Sequence, residues 1–555
     1  MGGKVTAVYR LAMRLSWAFW SFFSTLRQIS PYAIPTFLFA FIYNQVYLYW
    51  LATVGMGSWA PAWPANRTRL VFLMVSIPTW GLVMLLWTVG ITVLKSAWAK
   101  RTSRGEFYEA IELDPEQHTN RNFRRGYVQY RWHLSVLLYL SLFTCGLFML
   151  MTRELPGDVR FKAEIQAAIK SPRPEGHWKR GWVDNRYVLQ YLISVAEKVF
   201  LGAMFYNNEQ VVPYWCDEVI KLIKYLGTDN VFVSTVESNS GDKTPALLEE
   251  FGARLTALKV QHRILNHDTS ITRPESMDTA PPRIQFLAAI RNKVLEPLVE
   301  NGGYDRVIFS NDVFIESETI LELLRTRDGD YDMACGIDLS YWGMYDAWVL
   351  RDRLGRLVSS LWPYFLEDAG MQAVMKDEPA PVFTCWNGIV SFRPDPFLPV
   401  NLRTSGRLST SPLSKPLPSS HPSFGQPADL SPAQTPPMSF RASVEGECFS
   451  SESFLMPYDM RRQFEMNNIY LNPRVIVSYD WKFYVWYKWV LRHWMVKWWI
   501  ENVENGSMMH LGKMVVGEAK NVWTWDGGEC HPIYDAGSAG SRDREKAAAR
   551  GTATS

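Results

Sequence analysis

The sequence has few cysteines, little net charge and none of the common glycine-rich phosphate-binding motifs. Its 555 residues include 6 cysteines, and none of them forms a Cys-x-x-Cys pair or a histidine-spaced zinc pattern. A formal net charge of +3 gives no electrostatic signal of a nucleic-acid partner. No Gly-x-Gly-x-x-Gly or P-loop sequence follows a predicted strand. These absences argue against zinc modules, dinucleotide-binding domains and P-loop enzymes.

Aromatic residues and long apolar segments are abundant. The chain has 24 Trp, and Trp and Tyr are enriched at membrane interfaces. Three apolar segments, 34–54, 70–94 and 134–151, approach or exceed the length of about 20 residues that a transmembrane helix needs. A soluble core helix is the alternative for the third segment. We therefore expect region 1–151 to hold a cytosolic tail and three transmembrane helices.

Basic residues set the expected orientation of these helices. Lys and Arg are concentrated in the N-terminal tail and in connection 95–133, whereas connection 55–69 carries only Arg67 and Arg69. The positive-inside rule then leaves everything after residue 151 in the lumen. Glycosylation sequons at Asn66 and Asn505 agree with this orientation. Disulfides can form in such a compartment, and Cys385 with Cys448 is one option.

Strand and helix patterns alternate from residue 196 onward. Apolar runs at 198–206, 231–236, 305–309 and 331–336 predict strands. Segments 210–226, 244–258, 282–300 and 318–325 predict helices, the second of them capped by Asp242. Such alternation predicts an α/β domain with a Rossmann-like, mostly parallel sheet.

The remaining segments differ in composition and suggest the domain boundaries. We expect a stem at 152–195, the main domain at 196–400, a disordered Ser/Pro-rich insertion at 401–440, a continuation of the domain at 441–535 and a disordered tail at 536–555. The Trp-rich segment 481–500 has two interpretations. It is either a helix lying on the bilayer surface or a core helix packed on the sheet.

Polar clusters follow three of the predicted strands. They are Asn207-Asn208-Glu209, Glu237 to Asp242, and Ser310-Asn311-Asp312. Turn formation is the alternative role of each cluster taken singly. Because the carboxyl ends of parallel strands meet at the ligand-binding edge of a sheet, the three together predict a site. A lone Asp312 there could hold a divalent cation, which in turn could hold a diphosphate.

Several of these segments resemble one known family. They include FLAAIRNKVLEPL at 286–298, YDRVIFSNDVFIE at 304–316, YDMACGID at 331–338, FTCWNGIV at 383–390 and GECFSSE at 446–452. In order and density they resemble the fungal capsule-associated α-1,3-mannosyltransferase family over residues 198–480. The resemblance implies a Golgi-type membrane enzyme with a GT-A-like nucleotide-sugar-binding domain. Three predicted spans, in place of the family's single anchor, and the insertion are departures from its pattern.

The resemblance and the strand ends together suggest roles for individual residues. Asn311 and Asp312 stand where such enzymes carry an Asp-x-Asp-like motif, so Asp312 is the expected ligand of Mn²⁺ or Mg²⁺. The expected substrate-binding residues are Glu237, Ser238, Asp242, Arg291, Asn292, Asn311, Arg351, Asp352, Trp386 and Asn387. The expected catalytic carboxylates are Asp338, Asp346, Glu447 and Glu452.

The expected carboxylates have alternative roles. They can orient sugar hydroxyls, or one of them can act as general base if the reaction inverts the anomeric centre. A retaining reaction, which the resemblance implies, needs no obvious base. A solvated surface charge is the alternative for each.

The expected function is transfer of mannose from GDP-mannose to a mannose-containing glycan or polysaccharide by a membrane-bound glycosyltransferase. Nucleic acid is not an expected partner. A transferase that uses another nucleotide sugar and a non-catalytic membrane scaffold for polysaccharide assembly or export are the alternatives.

The expected topology can be tested with sealed microsomes. A tag placed after residue 540 should resist added protease until detergent opens the vesicles, because an odd number of spans puts the C-terminal part in the lumen. Digestion of the tag in intact vesicles would contradict this orientation.

Overall fold

The structure is a computed structural model, and it describes residues 154–178, 196–340, 343–355, 357–403, 437–444 and 449–494, with scattered helical residues at 83–97, 137–152 and 497–502. The chain divides into two compact units, residues 1–60 with 65–153, and residues 154–555 with 61–64. Predicted span 34–54, most of the other two spans, Asn66, Asn505 and the tail lie outside the described residues. Among described residues, no helix has both the length and the apolar character to cross a membrane.

The second unit alternates strands and helices along the described residues. Its strands are β1 (Val199–Phe205), β2 (Val231–Glu237), β3 (Gln261–Leu265), β4 (Arg306–Ser310), β5 (Met333–Ser340), β6 (Gly343–Met344), β7 (Arg351–Asp352), β8 (Ala380–Thr384), β9 (Ile389–Phe392) and β10 (Ile469–Val477). Its helices are α1 (Pro156–Lys170), α2 (Val212–Leu226), α3 (Thr244–Ala257), α4 (Pro281–Asn301), α5 (Ser317–Leu324), α6 (Asp368–Met375), α7 (Glu452–Phe464) and α8 (Trp481–Val485).

The strands form one mixed sheet in the order β3-β2-β1-β4-β9-β5-β10-β8-β7, with β6 paired to β5. β3, β2, β1 and β4 are parallel neighbours, as the alternating pattern predicts. The other half differs, because β9 lies antiparallel between β4 and β5 and β8 pairs antiparallel with β10. The prediction of a mostly parallel sheet is therefore wrong for this half, where β9 enters from a short turn rather than through a crossover helix.

The core lies where the central strands meet the helices. β1 is almost entirely buried, and Gly202 within it permits α4 to approach, since a Cβ there would come within 2.8 Å of the Val294 side chain. The predicted helices agree with α2 to α5 to within two residues at each end. β3 was not predicted, because its sequence QHRIL lacks the apolar alternation of a half-buried strand.

Segments outside the predicted domain core also pack on it. α1, from the expected stem, buries Phe161 and Ile165, and its Glu164 accepts a hydrogen bond of 2.6 Å from the Tyr225 hydroxyl on α2. Phe440, at the end of the predicted disordered insertion, is buried as well. The Trp-rich segment begins as a core helix, because Trp481 on α8 is 2% exposed.

One disulfide joins Cys335 on β5 to Cys385 just after β8. The expected Cys385–Cys448 pair is therefore wrong. Cys385 precedes the turn into β9, and β9 pairs directly with β5, so tertiary pairing rather than sequence spacing selects Cys335. Cys448 itself lies outside the described residues.

A buried cluster of charges ties α1, α5 and the segment after α8 together. Lys488 donates to the Glu316 carboxylate, to Thr319 Oγ1 at 3.1 Å and to the Tyr484 hydroxyl at 3.2 Å. Burial raises the pKa of the nearby Glu318 to about 8, and the charge of Glu316 adds to this effect. For Glu316 itself, burial opposes the charged form, but Lys488 outweighs it and lowers the pKa. Glu318 therefore holds a proton at neutral pH that an unfolded chain would release.

Stability should fall as pH rises toward 8, because the raised pKa of Glu318 makes the folded state bind more protons than the unfolded state. Replacing Glu318 with Gln should flatten this dependence and stabilise the fold above pH 8 by about 2–4 kcal/mol. Thermal melts of wild type and E318Q across this pH range measure the effect. Parallel melting curves at every pH would contradict it.

Candidate active site

A cavity of about 780 Å³ lies at the carboxyl edge of the central strands. Residues from the ends of β1, β2, β4 and β5, from the N-terminal half of α4 and from the start of α7 line it. The lining includes seven of the expected site residues, which are Ser238, Arg291, Asn311, Asp312, Asp346, Trp386 and Glu452. The strand ends thus converge as the sequence pattern predicts.

Asp312 lies two residues beyond β4 and faces this cavity. One of its oxygens accepts a hydrogen bond of 2.7 Å from Asn208 Nδ2, which comes from the polar cluster after β1. Burial raises the pKa of Asp312 to about 6, while Asn208 and the charge of Arg291 act in the opposite direction. The side chain is partly exposed, so its carboxylate is both oriented and accessible from the cavity.

Arg291 is the buried centre of the cavity wall. Its Nε donates to Glu452 Oε1 at 3.0 Å, and its NH1 donates to Asn311 Oδ1 at 3.3 Å. The guanidinium lies 4.2 Å from the centre of the Trp386 ring. Arg291 is only 3% exposed and its charge is balanced by Glu452, so its contacts give it a structural role, and its expected contact with substrate stays a prediction.

Asn311 is engaged by its neighbours on every side. Its Oδ1 also accepts a hydrogen bond of 3.1 Å from Trp386 Nε1, and its Nδ2 donates to the Tyr479 hydroxyl at 2.8 Å. Trp386, one of the expected substrate-binding residues, is fully buried, so its ring has no exposed face to offer a sugar. Both side chains hold the floor of the cavity in place beside Asp312.

Asp338 and Asp346 form a pair of carboxylates with raised pKa values. Asp338 lies within β5, two residues before its end, rather than beyond the strand as predicted, and burial raises its pKa to about 6. Burial also raises the pKa of Asp346 well above its usual value, with further contributions from Asp338 and Glu452. Asn387 Nδ2 donates to Asp338 Oδ1 at 3.1 Å and to the Asp346 carbonyl at 3.3 Å.

The turn between β8 and β9 brings Asn387 to this pair. Asn387 has φ 46° and Gly388 has φ 82°. A Cβ at Gly388 would lie 2.6 Å from Val477 Cγ2, so the close approach of the turn to β10 requires glycine here. Asn387 is fully buried and orients Asp338 rather than facing the cavity.

At or beside the cavity, two buried carboxylate oxygens have no hydrogen-bond partner among the described residues. They are Glu452 Oε2 and Asp338 Oδ2. Glu452 begins α7 and lines the cavity, and Ser451 caps the same helix. Buried acceptors of this kind carry a desolvation cost unless a ligand or water satisfies them. The arrangement is suited to binding hydroxyl groups.

Five other expected site residues are engaged outside the cavity. Both carboxylate oxygens of Glu237 accept backbone N–H groups, from Ser240 and His267. The carboxylate of Asp242 accepts the backbone N–H groups of Thr244 and Glu209, but Lys243 is the N-cap residue of α3, so the expected N-cap role of Asp242 is wrong by one residue. The remaining three are Asn292, which exchanges two hydrogen bonds with the Phe440 backbone, Arg351, which donates to the Trp348 and Leu350 carbonyls, and Asp352, which accepts from Leu354 N. Glu447 lies outside the described residues.

Several lining residues were missed by the sequence analysis. Arg273 comes from the irregular segment between β3 and α4, and Arg283 from the first turn of α4. Tyr345 and Tyr479 face the other side of the cavity with ring centres 5.5 Å apart. No periodic pattern marks these positions. Arg283 could have been identified from its place in the first turn of a predicted helix, because helix N-termini meet at the ligand-binding edge.

The chain is similar to known proteins. A family model described as cryptococcal mannosyltransferase 1 matches residues 198–459. The α-1,3-mannosyltransferase CMT1 of Cryptococcus neoformans is 28% identical over 229 residues, which span 35% of this chain and 46% of that protein. The chain therefore matches less than half the length of this relative.

Two solved structures are remote likenesses. The mannosyltransferase PcManGT from Pyrobaculum calidifontis, in complex with GDP-Man and Mn²⁺, has a TM-score of 0.26 and 11% identity over 58% of this chain and 64% of its own. GalNAc-T7 with UDP, GalNAc and Mn²⁺ has a TM-score of 0.27 and 11% identity over 51% of this chain and 42% of its own.

The Arg291–Glu452 pair should be essential for folding stability. Replacing Arg291 with Met leaves Glu452 buried without its countercharge and should destabilise the protein by about 3–5 kcal/mol. Urea unfolding measures the loss. The double variant R291M/E452Q should recover part of it, because no buried charge then remains unpaired. Equal stability of R291M and wild type would contradict the structural role of this arginine.

Proposed function

Over residues 198–459 the chain belongs to the cryptococcal mannosyltransferase family, and on this premise we propose that it is a metal-dependent α-1,3-mannosyltransferase with a GT-A-like domain. The donor is GDP-mannose and the acceptor is a mannose-containing glycan or polysaccharide. The observation that carries the proposal is Asp312, an oriented and partly exposed carboxylate facing a large cavity at the carboxyl edge of the sheet.

The residues around Asp312 fit a hard divalent cation such as Mn²⁺ or Mg²⁺. No cluster of three acidic, His or Cys side chains able to hold a metal occurs in the described part of the chain. A cation of this kind needs only one or two protein carboxylates when waters and substrate phosphates complete its shell. Asp312 meets that requirement, since Asn208 fixes only one of its oxygens. When bound, the metal would stabilise negative charge on the leaving diphosphate.

The carboxylates on the β5 side of the cavity suit the transferred sugar. Asp346 is partly exposed there, whereas Asp338 is buried and braced by Asn387. We assign Asp346 and Glu452 to the sugar hydroxyls and Asp338 to the support of the loop that carries Asp346. The raised pKa of Asp346 supports this role, because a protonated carboxyl can donate as well as accept a hydrogen bond.

The proposed cellular setting rests on the sequence. Three predicted spans and the charge bias of their flanks support a Golgi or endoplasmic reticulum membrane enzyme with a lumenal catalytic domain. A panel of nucleotide sugars separates GDP-mannose from other donors. A protein that turns over none of them, with any acceptor offered, would favour the scaffold alternative.

Replacing Asp312 with Asn should lower donor turnover at least about 100-fold, the usual loss when a group that stabilises charge in the transition state is removed. The assay measures release of GDP from GDP-mannose with Mn²⁺ and a mannose-containing acceptor. Melting curves should show that D312N stays folded, because Asn keeps an acceptor for Asn208 Nδ2.

Asp305 provides a matched control at the opposite end of the same strand. Its Oδ2 accepts the Lys198 backbone N–H at 2.9 Å, and an Asn there can keep this bond. D305N should therefore retain wild-type turnover. Equal activity of D312N and D305N would contradict the role proposed for Asp312.

A further inference from the structure

We infer that Arg273 and Arg283 form an anion subsite for the diphosphate of the nucleotide donor. This inference rests on the proposed function and extends it by assigning the phosphate contacts to residues that the sequence pattern did not single out. Both arginines line the same cavity as Asp312. The charge balance of the two arginines, their orientation and their position relative to Asp312 all suit the binding of a diphosphate.

Arg273 and Arg283 carry charges that the described residues leave unbalanced. Neither has a carboxylate within ion-pair distance among the described residues, and both are partly exposed. Arg291, the third arginine of the cavity, is by contrast neutralised by Glu452 at 3.0 Å. An unpaired guanidinium beside a partly enclosed cavity attracts anions, and its fork of N–H groups fits phosphate oxygens.

Aromatic rings hold Arg273 in position without consuming its hydrogen-bonding capacity. Its guanidinium lies 3.7 Å from the centre of the Tyr206 ring and 5.6 Å from that of Phe286. Contact with ring faces leaves the N–H groups in the guanidinium plane able to donate. Tyr206 is 40% exposed and also lines the cavity, so the stacked pair stands at its open side.

Arg283 lies in the first turn of α4 and is oriented by Thr279, just before the helix. Its NH1 donates to Thr279 Oγ1 at 3.3 Å, a weak contact that sets direction without neutralising charge. The N-terminus of α4 contributes partial positive charge of its own in the same place. Arg283 therefore adds a full charge to a helix end that already favours an anion.

Each of the two arginines is linked to Asp312 through a neighbouring residue. Tyr206, under Arg273, precedes Asn208 by two residues, and Asn208 donates to Asp312 at 2.7 Å. Arg283 and Asp312 both act electrostatically on the phenol of Tyr345, whose pKa burial raises. A diphosphate bound beside Asp312 would therefore lie near both guanidinium groups. These groups and the cation would together balance its negative charge.

Binding measurements test the subsite directly. Isothermal titration with GDP, UDP and inorganic pyrophosphate, at constant Mn²⁺, compares wild type with R273Q, R283Q and R254Q. Each of the first two variants should bind the preferred diphosphate about 10- to 100-fold more weakly, since each removes a charged hydrogen bond. R254Q is the matched control, because Arg254 lies on α3 and pairs with Asp217 at 2.7 Å, outside the cavity.

The conservative variants R273K and R283K should regain part of the affinity, because Lys restores the charge but not the planar fork. Wild-type affinity in both Gln variants would overturn the inference. A loss of affinity in only one variant would contradict a subsite made of both arginines. Binding of pyrophosphate that both variants weaken, without binding of any nucleotide, would support the subsite and contradict the proposed function. A wild-type protein that binds none of the three probes would contradict both.

Discussion

The cavity depends on one buried ion pair. Arg291 on α4 meets Glu452 at the start of α7, Asn311 after β4 and Trp386 before β9, so four segments converge on a single guanidinium. A charge in the interior is tolerated only when it is paired and hydrogen-bonded, and this requirement fixes where each segment lies. Because Asn311 is held in this way, the adjacent Asp312 faces the cavity in a defined direction. The position of this carboxylate, the proposed metal ligand, is thus a consequence of structural charge pairing behind it.

The segment that carries Asp312 is anchored on both sides. Arg291, Trp386 and Tyr479 bind Asn311, while Lys488 binds Glu316 four residues after Asp312. Lys488 also links this segment to Asp158 of α1 at 3.5 Å, which makes the helix from the expected stem part of the same framework. Two buried charge clusters therefore brace a short loop whose partly exposed residue, Asp312, is the proposed metal ligand. Such bracing is what a site needs if its geometry is to be set before a ligand arrives.

Charged residues around the cavity divide by burial into two groups. Arg291, Glu452 and Asp338 are almost completely buried and are committed at least in part to protein contacts. Asp312, Asp346, Arg273 and Arg283 remain partly exposed, so they can contact a ligand. Positive charge that no carboxylate of the described residues balances lies on the loop before α4 and at its first turn, whereas the paired carboxylates lie beside β5. This distribution is consistent with a phosphate-bearing group near α4 and a hydroxyl-rich sugar near β5.

The sequence alone determined the parallel half of the sheet and the location of Asp312, because apolar runs that end in polar clusters report local burial and the end of a strand. It also indicated the family, through motifs that stay together along the chain. Only the tertiary structure decided which arginine is neutralised, since Arg291 and Glu452 are 161 residues apart in the chain. The same holds for β9 and the Cys335–Cys385 bond, which depend on one short strand inserting between β4 and β5. Periodicity reports what each segment buries, but the partner against which it is buried is set by the packing of distant segments.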